Sequence, residues 1–224
     1  TLLPHEFFID LLLERLIRQK IQVRLGGKLR YFISGGAALN PEIGSFFMAL
    51  GVKLLQGYGQ TEASPVISAN RPGKIKIETV GPPVAGVEVR FADDGEILVR
   101  GDLLMKGYWR DDHSTAATIR DGWLYTGDIG TCDDDGYITI TGRKKEIIVN
   151  SGGENIVPSR VEALLTIEPE IEQALVDGDR RPWLAAVIVP SAEARAAAVS
   201  DEALKLLIAE TVERANSRLS QIER

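Results

Sequence analysis

The sequence predicts a mixed α/β and α+β protein in three consecutive parts: a parallel α/β unit over residues 1–71, a small β-barrel subdomain over 72–142, and a small α+β domain over 143–224. Three observations carry this division. The first part alternates apolar strand, helix and apolar strand, the pattern of a parallel unit. After Arg71, Pro72-Gly73, Gly81-Pro82-Pro83 and Gly86 crowd together and the apolar runs become short. From about Gly142 the order becomes strand, glycine loop, helix, strand, strand, helix.

From Pro4 to Leu25, Phe8, Leu12, Leu16 and Ile17 fall at helical spacing between charged residues, and Gly26-Gly27 supplies the stop. Leu29 to Ser34 is a short β-type run ending at Gly35-Gly36. Asn40 and Pro41 then read as the N-cap and first residue of a helix that ends at Gly51. Val52 to Gln56 is a strand running into the loop Gly57-Tyr58-Gly59, and loops at such strand ends are where ligands usually bind. Val87 to Phe91 and Glu96 to Arg100 alternate around Asp93-Asp94-Gly95, a hairpin signal. Asp133-Asp134-Asp135-Gly136 lacks the remaining ligands of a calcium loop and reads as a solvated turn. Farther on, Pro158 opens a helix through Leu165, Ile171 to Val176 and Leu184 to Val189 are strands, and Ser200 caps a long helix.

Composition excludes several classes. Hydrophobic residues are 44% and charged residues 26%, the balance of a folded globular chain. The net charge of -6, from 26 Lys+Arg against 32 Asp+Glu, offers no basic field for nucleic acid. The single cysteine, Cys132, permits no internal disulfide and fits a reducing compartment, and two histidines far apart argue against a zinc site. The apolar stretch Phe7 to Leu13 is interrupted by Asp10 and followed by Glu14 and Arg15, so it is too short to span a bilayer. The opening at Thr1, with no signal peptide, and the stop at Arg224 within a helical pattern read as cuts inside a longer protein.

Gly57-Tyr58-Gly59-Gln60-Thr61-Glu62 places an aromatic ring, a hydroxyl and a carboxylate in one loop. A tyrosine can stack on adenine, a threonine hydroxyl can donate to a phosphate oxygen, and a glutamate is the hard ligand magnesium prefers. Taken alone, the loop also reads as a plain turn. In order with other segments it resembles the signature loop of the adenylate-forming superfamily, which includes acyl-CoA synthetases, peptide-synthetase adenylation domains and luciferases. Ser34-Gly35-Gly36-Ala37-Ala38-Leu39 resembles that family's adenine-side loop. Gly122-Trp123-Leu124-Tyr125-Thr126-Gly127-Asp128 resembles its ribose segment. Gly142-Arg143-Lys144-Lys145-Glu146-Ile147-Ile148 and Ser151-Gly152-Gly153-Glu154-Asn155-Ile156 resemble the hinge and the loop after it, and Met105-Lys106-Gly107-Tyr108-Trp109 also fits.

The resemblance implies the end of a large adenylate-forming domain followed by a small mobile C-terminal domain. It implies that Gly35, Gly36 and Ala37 line the adenine pocket, that Tyr58, with Gly59 and Gln60, binds the nucleotide, and that Asp128 accepts from the ribose hydroxyls. Thr61 and Glu62 would serve catalysis, Glu62 as the magnesium ligand; Arg143 would lie near ribose and phosphate. Lys145 would be the pivot of domain rotation, and Gly152 and Gly153 would line the path of the pantetheine arm of coenzyme A. The implied reaction activates a medium- or long-chain fatty acid with ATP and Mg2+ to an acyl-AMP and then transfers the acyl group to coenzyme A. Gly178 to Pro190 and the opening helix look like bacterial long-chain acyl-CoA synthetases. The implied location is cytoplasmic, with peripheral association of the full-length protein at the inner membrane surface. A noncatalytic nucleotide-binding or interaction module that keeps the scaffold, or another ligase such as a peptide-synthetase adenylation domain, is the alternative.

Two family features have no counterpart between Thr1 and Arg224: an upstream Ser/Thr/Gly-rich phosphate loop with its lysine, and a lysine near the family's C-terminus. Lys205, the last lysine, sits inside a helix pattern. The 224-residue chain is therefore expected to form no acyl-CoA from ATP, magnesium, coenzyme A and a fatty acid, as mass spectrometry would show. Loss of even one aligned donor typically costs about a hundredfold in rate.

Overall fold

The computed structural model describes residues 12–223. The first half of the predicted opening helix, including Pro4 and Phe8, lies outside them. Glu14–Arg18 winds as a π-turn that runs into α1 (Gln19–Arg24). The Arg18 guanidinium donates from Nε to the Ala49 carbonyl at 2.9 Å and ties this helix to α2 (Pro41–Ala49). The Asn40 side chain caps α2 by accepting from the Glu42 and Ile43 amides.

The chain divides into two compact units, one ending at Ile140 and one beginning at Thr141. In the first, β1 (Phe32–Ser34) pairs in parallel with β2 (Leu54–Tyr58), which pairs antiparallel with the short β3 (Ser68–Ala69). The strand thus runs two residues beyond its sequence-predicted end at Gln56. The antiparallel registers Gly57 with Ala69 and Tyr58 with Ser68 pull Gly57 and Tyr58 into the ladder, so only Gly59 onward is loop.

A five-stranded sheet follows. β4 (Glu88–Phe91), β5 (Glu96–Arg100), β7 (Trp123–Cys132) and β6 (Ile119–Arg120) lie side by side in that order, and β8 (Ile138–Arg143) joins β7. Sequence reading placed the hairpin of β4 and β5 in this sheet, and the run Tyr137 to Ile140 that follows the acidic turn falls largely in β8. It missed α3 (Asp112–Thr118) and the length of β7, because the latter's polar Thr126-Gly127-Asp128 hides its period. Ile67, Ile97, Val99, Leu124 and Ile138 are fully buried between this sheet and the segment after β2. Each such side chain contributes about 1.5–3 kcal/mol of burial.

The acidic turn at Asp133 is more than a solvated turn. Lys76 Nζ lies 2.5 Å from Asp133 Oδ2 and 2.6 Å from Asp135 Oδ2, and stands 4.4 Å from the centre of the Tyr137 ring. Those hydrogen bonds hold the Lys76 ammonium above its ordinary value, and Lys76 in turn holds the Asp133 carboxyl below the usual range. The Asp133 contribution is present at neutral pH and is lost as pH falls through its lowered value.

In the second unit, β9 (Ile148–Val149) and β10 (Asn155–Ile156) form a small hairpin, and α4 (Pro158–Ile167) packs on the antiparallel pair β11 (Ile171–Asp177) and β12 (Ala185–Pro190). After the short α5 (Ala192–Ala197), α6 (Asp201–Asn216) is capped by Ser200, whose Oγ accepts from the Ala203 amide. Ile156, Leu165 and Ala215 lie in this unit's core. Arg214 and Arg218 pair with the buried Glu168. Among the described residues no helix is long and apolar enough to cross a membrane.

Candidate functional site

The first unit gathers its candidate residues where β1 and β2 end. Gly35, Gly36 and Ala37 follow β1, and Gly35 lies so close to β2 that an added Cβ would meet the Gly57 carbonyl oxygen at 3.3 Å. Tyr58, the last residue of β2, accepts at its carbonyl from the Ile67 amide at 2.8 Å. The chain between them folds back: a Cβ on Gly59 would stand 1.7 Å from the Pro65 carbonyl oxygen, so only glycine fits. Gln60 then leads into the tight turn Thr61–Ala63, whose Ala63 is fully buried and anchors it. The Gln60 Nε2 is buried without a hydrogen-bond partner. Such an atom is where a ligand oxygen or an ordered water is expected.

Asp128 comes to this loop from the other sheet. Between the pairs Glu96 with Ile129 and Leu98 with Tyr125 the register shifts, and β7 bulges at Thr126-Gly127-Asp128. Gly127 takes a φ of +74°, which its lack of a side chain permits. The buried Glu96 holds the bulge: its Oε1 accepts from the Gly127 amide at 2.9 Å, while Thr126 Oγ1 donates to the Ile97 carbonyl at 2.7 Å. The Asp128 amide donates to Thr126 Oγ1 at 3.1 Å. So positioned, Asp128 Oδ2 receives the Tyr58 phenol at 2.6 Å. Residues 70 apart in sequence thus meet directly.

Glu62 is held from a third segment. Tyr108 Oη donates to Glu62 Oε1 at 2.8 Å, and the Met105 amide donates to the Glu62 carbonyl at the same distance. That bond to the carboxylate, with burial second, raises the Tyr108 phenol above its ordinary value. No group of three or more metal-ligating side chains occurs among the described residues. A cation on Glu62 would therefore complete its shell with ligand oxygens and water. A single half-buried carboxylate with one oxygen already placed suits magnesium, which keeps several waters.

The second unit carries the other candidates. Arg143 ends β8, and its carbonyl accepts from the Glu146 and Ile147 amides, closing a tight turn that leaves Lys145 exposed. Gly152 and Gly153 sit in a loop organised by Asn150. The Asn150 Oδ1 accepts from the Gly152 amide at 2.9 Å and the Glu154 amide at 3.0 Å, while its carbonyl accepts from Gly153. Glu96 and Tyr108 support candidate residues of the first unit, and Asn150 those of the second, without having been singled out from sequence. Asn150, before Ser-Gly-Gly, carried a readable signal as an Asx-turn former. Glu96 and Tyr108 did not, because their partners are 31 and 46 residues away.

Comparisons with known proteins find matches along most of the chain. A model of the AMP-binding enzyme family matches residues 5–109, and a model of the AMP-binding enzyme C-terminal domain matches residues 145–224. The long-chain-fatty-acid–CoA ligase FadD15 of Mycobacterium tuberculosis is 45% identical over 181 residues, which are 81% of this chain and 30% of the relative. A long-chain-fatty-acid–CoA ligase of Bacillus subtilis is 42% identical over 159 residues, covering 65% of this chain and 28% of the relative. The chain thus spans less than a third of either relative. Among solved structures, the A domain of carboxylic acid reductase from Segniliparus rugosus, in complex with AMP and a co-purified carboxylic acid, superposes with a TM-score of 0.75. It is 25% identical, over 100% of this chain and 36% of that one. The o-succinylbenzoate CoA synthetase of Bacillus subtilis, with its acyl-adenylate, gives 0.73 at 25% identity, over 92% and 44%. Two matched segments that together take in most of the sequence, on a fold shared with adenylate-bound enzymes, establish that the chain belongs to the AMP-binding enzyme family.

Proposed function

We propose that this chain carries the adenylate-binding part of a fatty-acid–CoA ligase. The observation that supports it most is the Tyr58–Asp128 hydrogen bond of 2.6 Å, which unites the end of a parallel strand with an acidic bulge from the neighbouring sheet. A ring and an acceptor so joined suit a nucleoside: the Tyr58 face stacks on adenine beside Gly35, Gly36 and Ala37, and Asp128 accepts from the ribose hydroxyls. Gly59 and Gln60 shape the loop beneath the α-phosphate, and the Thr61 hydroxyl and the orphan Gln60 Nε2 donate to its oxygens.

The overall reaction balances in two displacements. A fatty-acid carboxylate oxygen attacks the α-phosphorus of ATP, the α–β P–O bond breaks, and pyrophosphate leaves. The sulfur of coenzyme A then attacks the acyl carbon, the C–O bond to AMP breaks, and the thiol proton passes to solvent. Magnesium bound at Glu62 would supply positive charge that lets a carboxylate approach a polyphosphate. In the second unit, Arg143 is the proposed partner of ribose and phosphate, the exposed Lys145 the proposed pivot, and the Asn150-held loop at Gly152 and Gly153 the proposed path for the pantetheine arm. The names of the fatty-acid–CoA ligase relatives support the acyl and thiol substrates, and cytoplasmic placement with peripheral membrane contact belongs to the same proposal.

The test is calorimetric titration of the chain with AMP. Asp128→Ala is expected to weaken binding about 10- to 100-fold, the worth of hydrogen bonds to a charged acceptor, with an unchanged circular dichroism spectrum. Equal affinity in the variant would remove the ribose assignment.

A further inference from the structure

We propose that Tyr108 is a positioning residue for the Glu62 carboxylate, and that it sets how strongly magnesium tightens nucleotide binding; this rests on the nucleotide reading above. Tyr108 and Met105 grip the same residue from one short segment, the phenol on the carboxylate at 2.8 Å and the Met105 amide on the Glu62 carbonyl at 2.8 Å. Backbone and side chain of Glu62 are thereby both fixed.

The donor is itself fixed. The Tyr108 amide donates to Thr115 Oγ1 at 2.9 Å, and that hydroxyl donates on to the Asp111 carbonyl at 2.8 Å. Thr115 lies in α3, whose first turn is capped by Asp111 accepting from the Ser114 amide at 2.9 Å. The phenol therefore projects from a braced helix start rather than from a loose surface loop.

The consequence for Glu62 is geometric. A half-exposed glutamate samples many rotamers, and each must be surrendered when it binds a cation. With Oε1 engaged by Tyr108, that loss is already incurred in the free protein. Oε2 has no hydrogen-bond partner among the described residues and is the oxygen left to a hard cation. Groups that orient a metal-binding carboxylate typically matter about 10- to 100-fold in affinity.

Calorimetry on the chain separates this from a purely structural staple, using AMP, ATP with EDTA, and ATP with magnesium. In the wild type, magnesium is expected to tighten ATP binding. Tyr108→Phe should cut that enhancement about tenfold while AMP affinity and ATP affinity in EDTA stay within about twofold. In a Glu62→Gln background, which removes the carboxylate, Tyr108→Phe should change nothing further. An unchanged magnesium enhancement in Tyr108→Phe overturns the proposal. So does an equal loss of AMP affinity, which would mark general loosening. If the wild type binds AMP but magnesium has no effect on ATP, this inference fails while the nucleotide reading stands; if it binds no AMP, both fail. Should Tyr108→Phe not fold, Thr115→Val, which releases the Tyr108 amide instead, takes its place with the same expected and overturning results.

Discussion

Gly59→Ala is expected to abolish AMP binding and to destabilise the first unit by about 3 kcal/mol, at the upper end of what overpacking usually costs. The added methyl would sit 1.7 Å from the Pro65 oxygen and 2.6 Å from its carbonyl carbon, and both are backbone atoms that no rotamer change can move. Relief would require the segment after the Thr61–Ala63 turn to swing away. That segment carries Ile67, which is fully buried, and Ser68, which pairs with Tyr58, so the adjustment propagates into the core and into β2. Urea unfolding followed by near-ultraviolet circular dichroism, with an AMP titration, reads both effects. A variant with wild-type stability and affinity would mean that the loop has another conformation of equal energy.

Glu96→Ala is expected to lower AMP affinity about tenfold or more, although Glu96 itself faces strand partners rather than the candidate ligand. Its carboxylate is the acceptor for the Gly127 amide, and without it the bulge loses the bond that aims Asp128 at Tyr58. The unmade bond also costs about 1–3 kcal/mol of stability. Glu96→Gln retains an amide oxygen that can accept from the same N–H and should keep most of the affinity. Equal affinity in the wild type and Glu96→Ala, by calorimetry, would show that the bulge holds its shape without the carboxylate.

What could be read from the sequence follows the range over which each interaction acts. Asn40-Pro41 and Ser200 were legible as helix starts because a cap bonds to amides two or three residues away. The loop from Gly57 to Glu62 was legible as a cluster of nucleotide-compatible groups, since its chemistry is contiguous. Its extent was not: β2 keeps Gly57 and Tyr58 only because β3 lies beside them. The same limit hid the clamp of Lys76 on an acidic turn 57 residues away, and made that turn look merely solvated. Glu96 read as a polar position in an alternating strand, where period alone gives no hint that a carboxylate faces inward to brace a distant glycine.

The first strand has a physical consequence for the chain in solution. Among the described residues β1 has one neighbour, β2, so its other side presents unpaired amides and carbonyls, while Ile33 is 82% exposed and Phe46 on α2 60%. An apolar edge without a charged or bulged guard is a template for further strand addition. Association through this edge is an expected result, growing with chain concentration and reversing on dilution. A lysine introduced at Ile33 would oppose that growth by charge repulsion between edges.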